Sequence, residues 1–275
     1  MNTPVATTPF DSVETILNFA DPTQKLAYMD DAVKGNAKIR TIPYPVKIHN
    51  ARLSAADFTL EKNAFTLVKM TSAVSDFTDL ENVRQVYFEE VVNVIKQHTN
   101  ATHVVVFGEQ LRGGSEGGVA RVRTPAMNVH VDYDTPTAHA IAEHLVPEND
   151  RQRLLNGRWM IINVWRPIKP VQRHPLTVLD GSTIDRNDQH LCKLLATRSG
   201  VSPAFGFNIS YNEQQRWYYY PAMQPDEMLL FKLVDSDAEA VQWAGHSAFD
   251  DPTSAADAPA RESLEVRTIA FIPNP

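Results

Sequence analysis

The sequence predicts a mainly β fold with inserted helices, a jelly-roll barrel or a sandwich. From about residue 102 onward, short apolar or alternating runs recur between turn residues, as expected of many short strands. Only one long stretch, 80–98, carries a sustained helical period. No GxGxxG joins a strand to a helix, and strands do not alternate regularly with helices, which argues against a doubly wound dinucleotide fold.

Taken in order, residues 1–45 are polar and weakly patterned and are expected to form an N-terminal extension, partly helical or disordered. Short helices are expected there at Val13–Phe19 and Gln24–Met29. Residues 46–275 then form a single domain. Val46–Leu53 and Phe65–Met70 alternate like strands. Leu80, Val83, Tyr87, Val91 and Ile95 mark one face of the helix, and Thr78-Asp79-Leu80-Glu81 reads as its capping box. Thr102–Phe107 is a buried strand. The Gly-rich run Arg112–Gly118 lacks a phosphate-loop pattern and reads as a connection. Helices are expected at Thr137–Leu145, near Asp150–Leu155, and over Asp185–Thr197. Strands are expected at Trp159–Arg166, Leu176–Leu179, Met228–Val234, around His246, and at Ser263–Ile272. Phe207–Tyr211 and Arg216–Tyr220 suggest a hairpin.

The chain has 275 residues, 43% of them hydrophobic and 21% charged, the profile of a globular protein. A net charge of −7, with no basic run, argues against nucleic-acid or anionic-membrane partners. Cys192 is the only cysteine, so no internal disulfide forms, and a cytoplasmic, reducing setting is the simplest reading. No cationic start precedes an apolar core at the N-terminus, and no apolar run approaches the ~20 residues of a membrane helix.

Chemistry concentrates at Asn128-Val129-His130-Val131-Asp132. On a strand, His130 and Asp132 share a side, with Asn128 beside them, while Val129 and Val131 face the packed side. An imidazole and a carboxylate so placed supply two members of a 2-His-1-carboxylate metal triad, and His246 is the proposed third. In the last strand, Arg261, Ser263, Glu265 and Arg267 share one face; Leu264, Val266, Ala270 and Ile272 share the other. That polar face is either solvent-exposed or a carboxylate-binding wall inside a barrel. Arg166, three positions after Asn163, is either an acid-binding group at a pocket mouth or a surface ion pair. Lys232 and Asp235 read as a structural pair.

His-x-Asp, a distant His and Arg-x-Ser together resemble the Fe(II)/2-oxoglutarate-dependent oxygenases. More narrowly, NAFTLVKMTSAVSDF, VYFEEVV, NVHVDYD, NVWRPI, RWYYYPAMQPDEMLLFKLVDSD, HSAFDDP and RESLEVR resemble one group of them. That group holds gibberellin desaturase, the AsaB-type hydroxylase/desaturases and the cephem methoxylase partner protein. The resemblance implies a double-stranded β-helix barrel, Fe(II) held by His130, Asp132 and His246, and 2-oxoglutarate as co-substrate. It implies that Arg261 pairs with the far carboxylate of 2-oxoglutarate, assisted by Ser263. The interval of 15 positions from His246 to Arg261 exceeds that of many relatives, so Arg267 stays a rival anchor. The implied activity is O₂-dependent hydroxylation or desaturation of a small secondary metabolite or amino-acid derivative. Two other readings remain at this stage: a non-catalytic β-barrel accessory protein, and a cupin-like metalloenzyme without 2-oxoglutarate.

Overall fold

The computed structural model describes residues 10–30, 33, 36–54, 57–113, 124–195 and 200–273. In chain order the first strands are β1 (Ser12–Ala20), β2 (Ala27–Met29), β3 (Ala37–Lys38), β4 (Thr41–Asn50) and β5 (Phe65–Lys69). After the long helix come β6 (His103–Arg112), β7 (His130–Val131), β8 (Arg158–Pro167), β9 (Leu176–Leu179) and β10 (Gln189–Leu194). The last are β11 (Ala204–Ile209), β12 (Trp217–Tyr219), β13 (Glu227–Asp235), β14 (His246–Ala248) and β15 (Ser263–Ile272).

They form two sheets, ordered β1-β4-β12-β9-β14-β7-β11-β10-β2-β3 and β5-β13-β8-β15-β6. Pairing is antiparallel except for β2 with β10 and β4 with β12. The large sheet curls over the small one to make the jelly-roll, a double-stranded β-helix. Between the sheets lies the main core, which includes Leu17, Phe19, Ile161, Trp165, Trp217, Phe231 and Phe271. A second core, with Val83, Val91, Ile95, Met160, Ile162, Val164, Leu264 and Val266, fills the space between the small sheet and the helix.

Strand β8 shows how this arises from sequence. It lies between β13 and β15 and is covered on both faces, so its run Trp-Met-Ile-Ile-Asn-Val-Trp is apolar almost throughout. Odd positions (Trp159, Ile161, Trp165) enter the barrel, and even ones (Met160, Ile162, Val164) meet the helix. The same parity holds in β15, where Leu264, Val266 and Ala270 face the helix. Arg261, Ser263 and Glu265 are buried rather than solvent-exposed.

Several local expectations change. Val13–Phe19 is not helical but part of β1, which pairs with β4 from Ser12↔His49 to Ala20↔Thr41. Gln24–Met29 ends in β2. The long helix begins as expected, but Asp79 caps it, accepting from the Glu81 and Asn82 amides, because Thr78 instead donates to Asp76. Helix Leu80–Asn82 passes through a π turn (Val83–Tyr87) into helix Phe88–Thr99. Of the helix expected over Asp185–Thr197, residues 196 and 197 lie outside the described residues; the rest holds only a short 3-10 turn (Arg186–Asp188) that leads into β10, paired on both sides by β11 and β2. β11 and β12 are not a hairpin, since β12 inserts between β4 and β9. Of the Gly-rich run, residues 114–118 lie outside the described residues. No helix among the described residues is long and apolar enough to cross a membrane.

Candidate metal centre

The topology brings distant histidines together. β7 lies between β14 and β11, and His130 faces His246 on one side and Asn208 on the other. Directly opposed residues in adjacent strands share a face. The two imidazole rings sit 4.3 Å apart, centre to centre. Asp132 lies just past the end of β7, with Oδ1 3.6 Å from His130 Nε2 and 3.8 Å from His246 Nε2.

The outward nitrogens fix the tautomers. His130 Nδ1 lies 2.8 Å from the Asn128 carbonyl, and His246 Nδ1 3.2 Å from that of Ala244. A carbonyl only accepts, so each Nδ1 carries the proton and each Nε2 turns its lone pair toward Asp132. Burial, with the neighbouring His130 adding to it, pushes His246 down to about 3, so its imidazole is neutral at physiological pH. Asp132 is opposed by its own burial, which favours the acid. The Arg267 guanidinium, both imidazoles and the Asn163 amide outweigh that and hold it well below the usual carboxylate range. Oδ2 accepts from Asn163 Nδ2 at 2.8 Å and lies 3.6 Å from Arg267 Nε, which leaves Oδ1 for the imidazoles' side.

Two imidazole nitrogens and one carboxylate oxygen thus converge, all within 4.8 Å of one another, the single such cluster among the described residues. Nitrogen and oxygen donors of this kind, each braced through its other polar atom, fit a divalent non-haem iron.

Two cavities open beside the cluster. The larger spans about 750 Å³ of non-protein space, part of it open to solvent, and is reached by His130 and Asp132. Its walls include Met29, Ile39, Leu194 and Phe207, with Asn128 and Asn208. The smaller, of about 260 Å³, is reached by His130 and His246 and holds Arg261, Trp165 and Ser247. Arg112 borders both.

Arg261 is 3% exposed. One Nη1 donates to the His174 carbonyl at 2.8 Å, the guanidinium lies 5.1 Å over Trp165, and Nε has no partner among the described residues. Burial, with Arg112 nearby, pushes Arg261 down to about 9 against the pull of Glu265. The group is still a cation at neutral pH, but its charge is poorly compensated. Ser263 Oγ is likewise buried without a partner among the described residues. Arg267 instead borders the larger cavity, turned toward Asp132 and Glu265. Arg166 is not brought to the site. As an even position of β8 it faces the helix, donating to the Met70 carbonyl and lying over Phe77 and Tyr87.

Three residues around the site escape sequence reasoning in these roles. Asn163 and Trp165 share the barrel-facing parity of β8, a signal that alternation carries. Asn208 stands beside His130 only through strand pairing across 78 positions, which leaves no local signature.

Comparison with known proteins agrees with this geometry. A family described as oxidoreductase/YMDC permease-like domain matches residues 17–271. The hydroxylase/desaturase efuI of Hormonema carpetanum is 30% identical over 259 residues, spanning 86% of each chain. The Fe(II)/2-oxoglutarate-dependent dioxygenase nvfI of Aspergillus novofumigatus is 35% identical over 245 residues, again 86% of each. A solved structure of the iron and alpha-ketoglutarate-dependent endoperoxidase NvfI superposes with a TM-score of 0.83 at 30% identity, covering 96% of this chain and 99% of that one. The chain therefore belongs to the hydroxylase/desaturase family of Fe(II)/2-oxoglutarate-dependent dioxygenases.

Proposed function

We propose that the protein oxidises an unactivated C–H bond of a small secondary metabolite, by hydroxylation or desaturation, with Fe(II) held by His130, Asp132 and His246. The observation that carries this reading is the convergence of His130 Nε2, His246 Nε2 and Asp132 Oδ1 at the junction of two cavities. Bound there, Fe(II) with 2-oxoglutarate and O₂ supplies the oxidising power, and the chain supplies placement.

The smaller cavity suits 2-oxoglutarate. Its end wall carries the undercompensated cation Arg261, whose free Nε matches a carboxylate oxygen. Ser263, adjacent on the same face, offers a hydroxyl. Arg267 is the rival anchor, but its position against Asp132 favours a role in holding that carboxylate. The larger cavity takes the substrate: Met29, Ile39, Leu194 and Phe207 give it apolar surface, and Arg112, Asn128 and Arg267 give it polar contacts. A cytoplasmic setting fits the single cysteine.

Anaerobic titration with Fe(II) and 2-oxoglutarate tests the assignment. A weak visible charge-transfer band is expected in the wild type and none in His130→Ala. Arg261→Ala is expected to weaken 2-oxoglutarate at least about tenfold while leaving Fe(II) affinity alone, the loss of a charge-assisted pair. If Arg261→Ala binds 2-oxoglutarate normally and Arg267→Ala does not, the anchor is Arg267. A band that survives His130→Ala removes the metal assignment.

A further inference from the structure

One cation at the site has no counter-charge. Arg112 closes β6 opposite Ser263 of β15, so its side chain enters the barrel, while Leu111 before it joins the core beneath the helix. Half-buried, it borders both cavities. Nη1 donates to the Thr124 carbonyl at 3.0 Å. Nε and Nη2 are neither hydrogen-bonded nor ion-paired among the described residues, and, unlike Nε of Arg261, they are not sealed from solvent. A ligand in either cavity can therefore reach this guanidinium.

The charges around the two cavities do not balance without a further anion. Among the described residues, the walls carry three guanidiniums, Arg112, Arg261 and Arg267, and two carboxylates, Asp132 and Glu265. Both carboxylates lie beside Arg267, at 3.6 and 3.1 Å. The double charge of Fe(II) offsets that of 2-oxoglutarate, whose far carboxylate belongs to Arg261 on the reading above. One positive charge is left over, on Arg112. A cation half withdrawn from water and uncompensated favours an anionic ligand. 2-Oxoglutarate has no third carboxylate, so the anion must come with the molecule in the larger cavity, where Arg112 shares the wall with Met29, Ile39 and Leu194.

We propose that Arg112 is a specificity-determining residue that pairs with a carboxylate of the substrate, so that the enzyme selects a mostly hydrocarbon acid and holds it by its carboxylate at the junction of the two cavities. This rests on the larger cavity being the substrate site of the oxygenase reading above. The fork of N–H donors fixes the carboxylate plane as well as its position, and the attached hydrocarbon then runs along a wall that includes His130 and Asp132. Arg112 thereby helps to set which carbon passes the metal.

The test uses the full chain loaded with Mn(II) and saturating 2-oxoglutarate, which fills the smaller cavity. It is titrated calorimetrically with trans-decalin-2-carboxylate and with trans-decalin-2-carboxamide, a neutral probe of like shape. In the wild type the acid is expected to bind at least about tenfold tighter than the amide, the gain of one charge-assisted pair, and to have its NMR signals relaxed by Mn(II). Arg112→Met is expected to bring the two probes within about twofold while leaving 2-oxoglutarate affinity within about twofold of the wild type. Arg112→Lys, which covers the case of a misfolded methionine variant, is expected to keep a preference for the acid several-fold smaller than the wild type's, because an ammonium carries the charge without the fork. A wild type that binds neither probe, does not separate them, or binds the acid without Mn(II) relaxation overturns the proposal. So does an acid preference that survives Arg112→Met. A loss of 2-oxoglutarate affinity of about tenfold or more in Arg112→Met also overturns it, making Arg112 a second arm for the co-substrate. Titration of the metal-free protein separates the proposal from the reading beneath it. If Mn(II) and 2-oxoglutarate fail to bind, but the acid keeps an advantage that Arg112→Met removes, the oxygenase reading falls and the acid site stands.

Discussion

At the residue scale, Asp132 shows how one carboxylate is kept in a single attitude. Its two oxygens have different neighbours: Oδ1 faces both imidazoles, while Oδ2 takes the Asn163 amide at 2.8 Å and the Arg267 guanidinium at 3.6 Å. Asn163 and Arg267 are themselves paired across β8 and β15, so the brace comes from the sheet opposite the one that carries the histidines. Without it the carboxylate could rotate and offer either oxygen. Asn163→Ala is therefore expected to lower Fe(II) or Mn(II) affinity about 10–100-fold, the usual cost of losing a residue that orients a metal ligand. Calorimetric titration of the anaerobic protein checks this, with a thermal melt to show that the variant is folded. An affinity within twofold of the wild type would mean that Arg267 suffices alone. In the sequence, Asn163 and Arg166 looked like neighbours without a common task. Alternation along β8 explains why: one enters the barrel, and the other lies under the helix between Phe77 and Tyr87.

At the scale of elements, long strands were legible and short ones were not. β8, β13 and β15 run nine or ten residues with clear apolar patterning, and their positions follow from it. β7 and β14, which carry the histidines, have two and three residues, too few for any period to register. Their pairing is imposed by the sheet, and the resemblance of NVHVDYD and HSAFDDP to known oxygenases, rather than periodicity, linked them. Asp185–Thr197 misled for a related reason: β10 gains its extended form from partners on both sides, which override local preference. The pair read as structural, Lys232 and Asp235, lies 2.7 Å apart at the irregularity of β13, with both side chains fully buried. Arg158 adds two hydrogen bonds to Asp235, at 3.0 and 2.6 Å. Burial alone would raise Asp235, but the Arg158 hydrogen bonds and the Lys232 charge outweigh it and lower its pKa. A carboxylate lowered on folding stabilises the protein above its unfolded pKa of about 4, and that contribution is lost as pH falls through the lower folded value. Asp235→Asn leaves Lys232 buried beside a neutral partner and is expected to cost about 3–5 kcal/mol at pH 7. The deficit should shrink as pH falls below the ordinary carboxylate value of about 4 and through the lower folded one, where the wild-type carboxylate also protonates. Urea unfolding at pH 7 and over that acid range measures it; a deficit that does not change with pH would show that the lost packing, not the charge, is responsible.

At the scale of the whole molecule, residues 12–20, read from the sequence as part of an extension, are built into the barrel. Their polarity hid this, because β1 is an edge strand with only some positions inward. The inward ones matter. Leu17 and Phe19 are 1% and 0% exposed, and Phe19 makes edge-on contacts with Tyr44, Tyr211 and Trp217. Burying two such side chains contributes about 3–6 kcal/mol, against a total stability of about 5–15 kcal/mol for a typical domain. β1 also reaches the site. Asn18 forms a bridge with Asn128, its carbonyl accepts from the Val129 amide at 2.9 Å, and its side chain donates to the Met127 carbonyl at 2.9 Å. The segment that supplies His130 is therefore fastened from both directions, by β11 and β14 and by the N-terminal strand. Removing residues 1–22 is expected to lower the midpoint of the cooperative melt by roughly 6–24 °C, since the lost burial takes a large share of the margin. Asn18→Ala removes only the side-chain contact; it is expected to keep the melt within a few degrees, as befits a single hydrogen bond of about 1 kcal/mol, and to weaken Mn(II) binding several-fold by loosening residues 127–130. Differential scanning calorimetry and Mn(II) titration separate the two effects. A truncated chain that melts and binds metal like the intact one would make β1 an appendage, and the barrel would then begin where the sequence placed it, near residue 46.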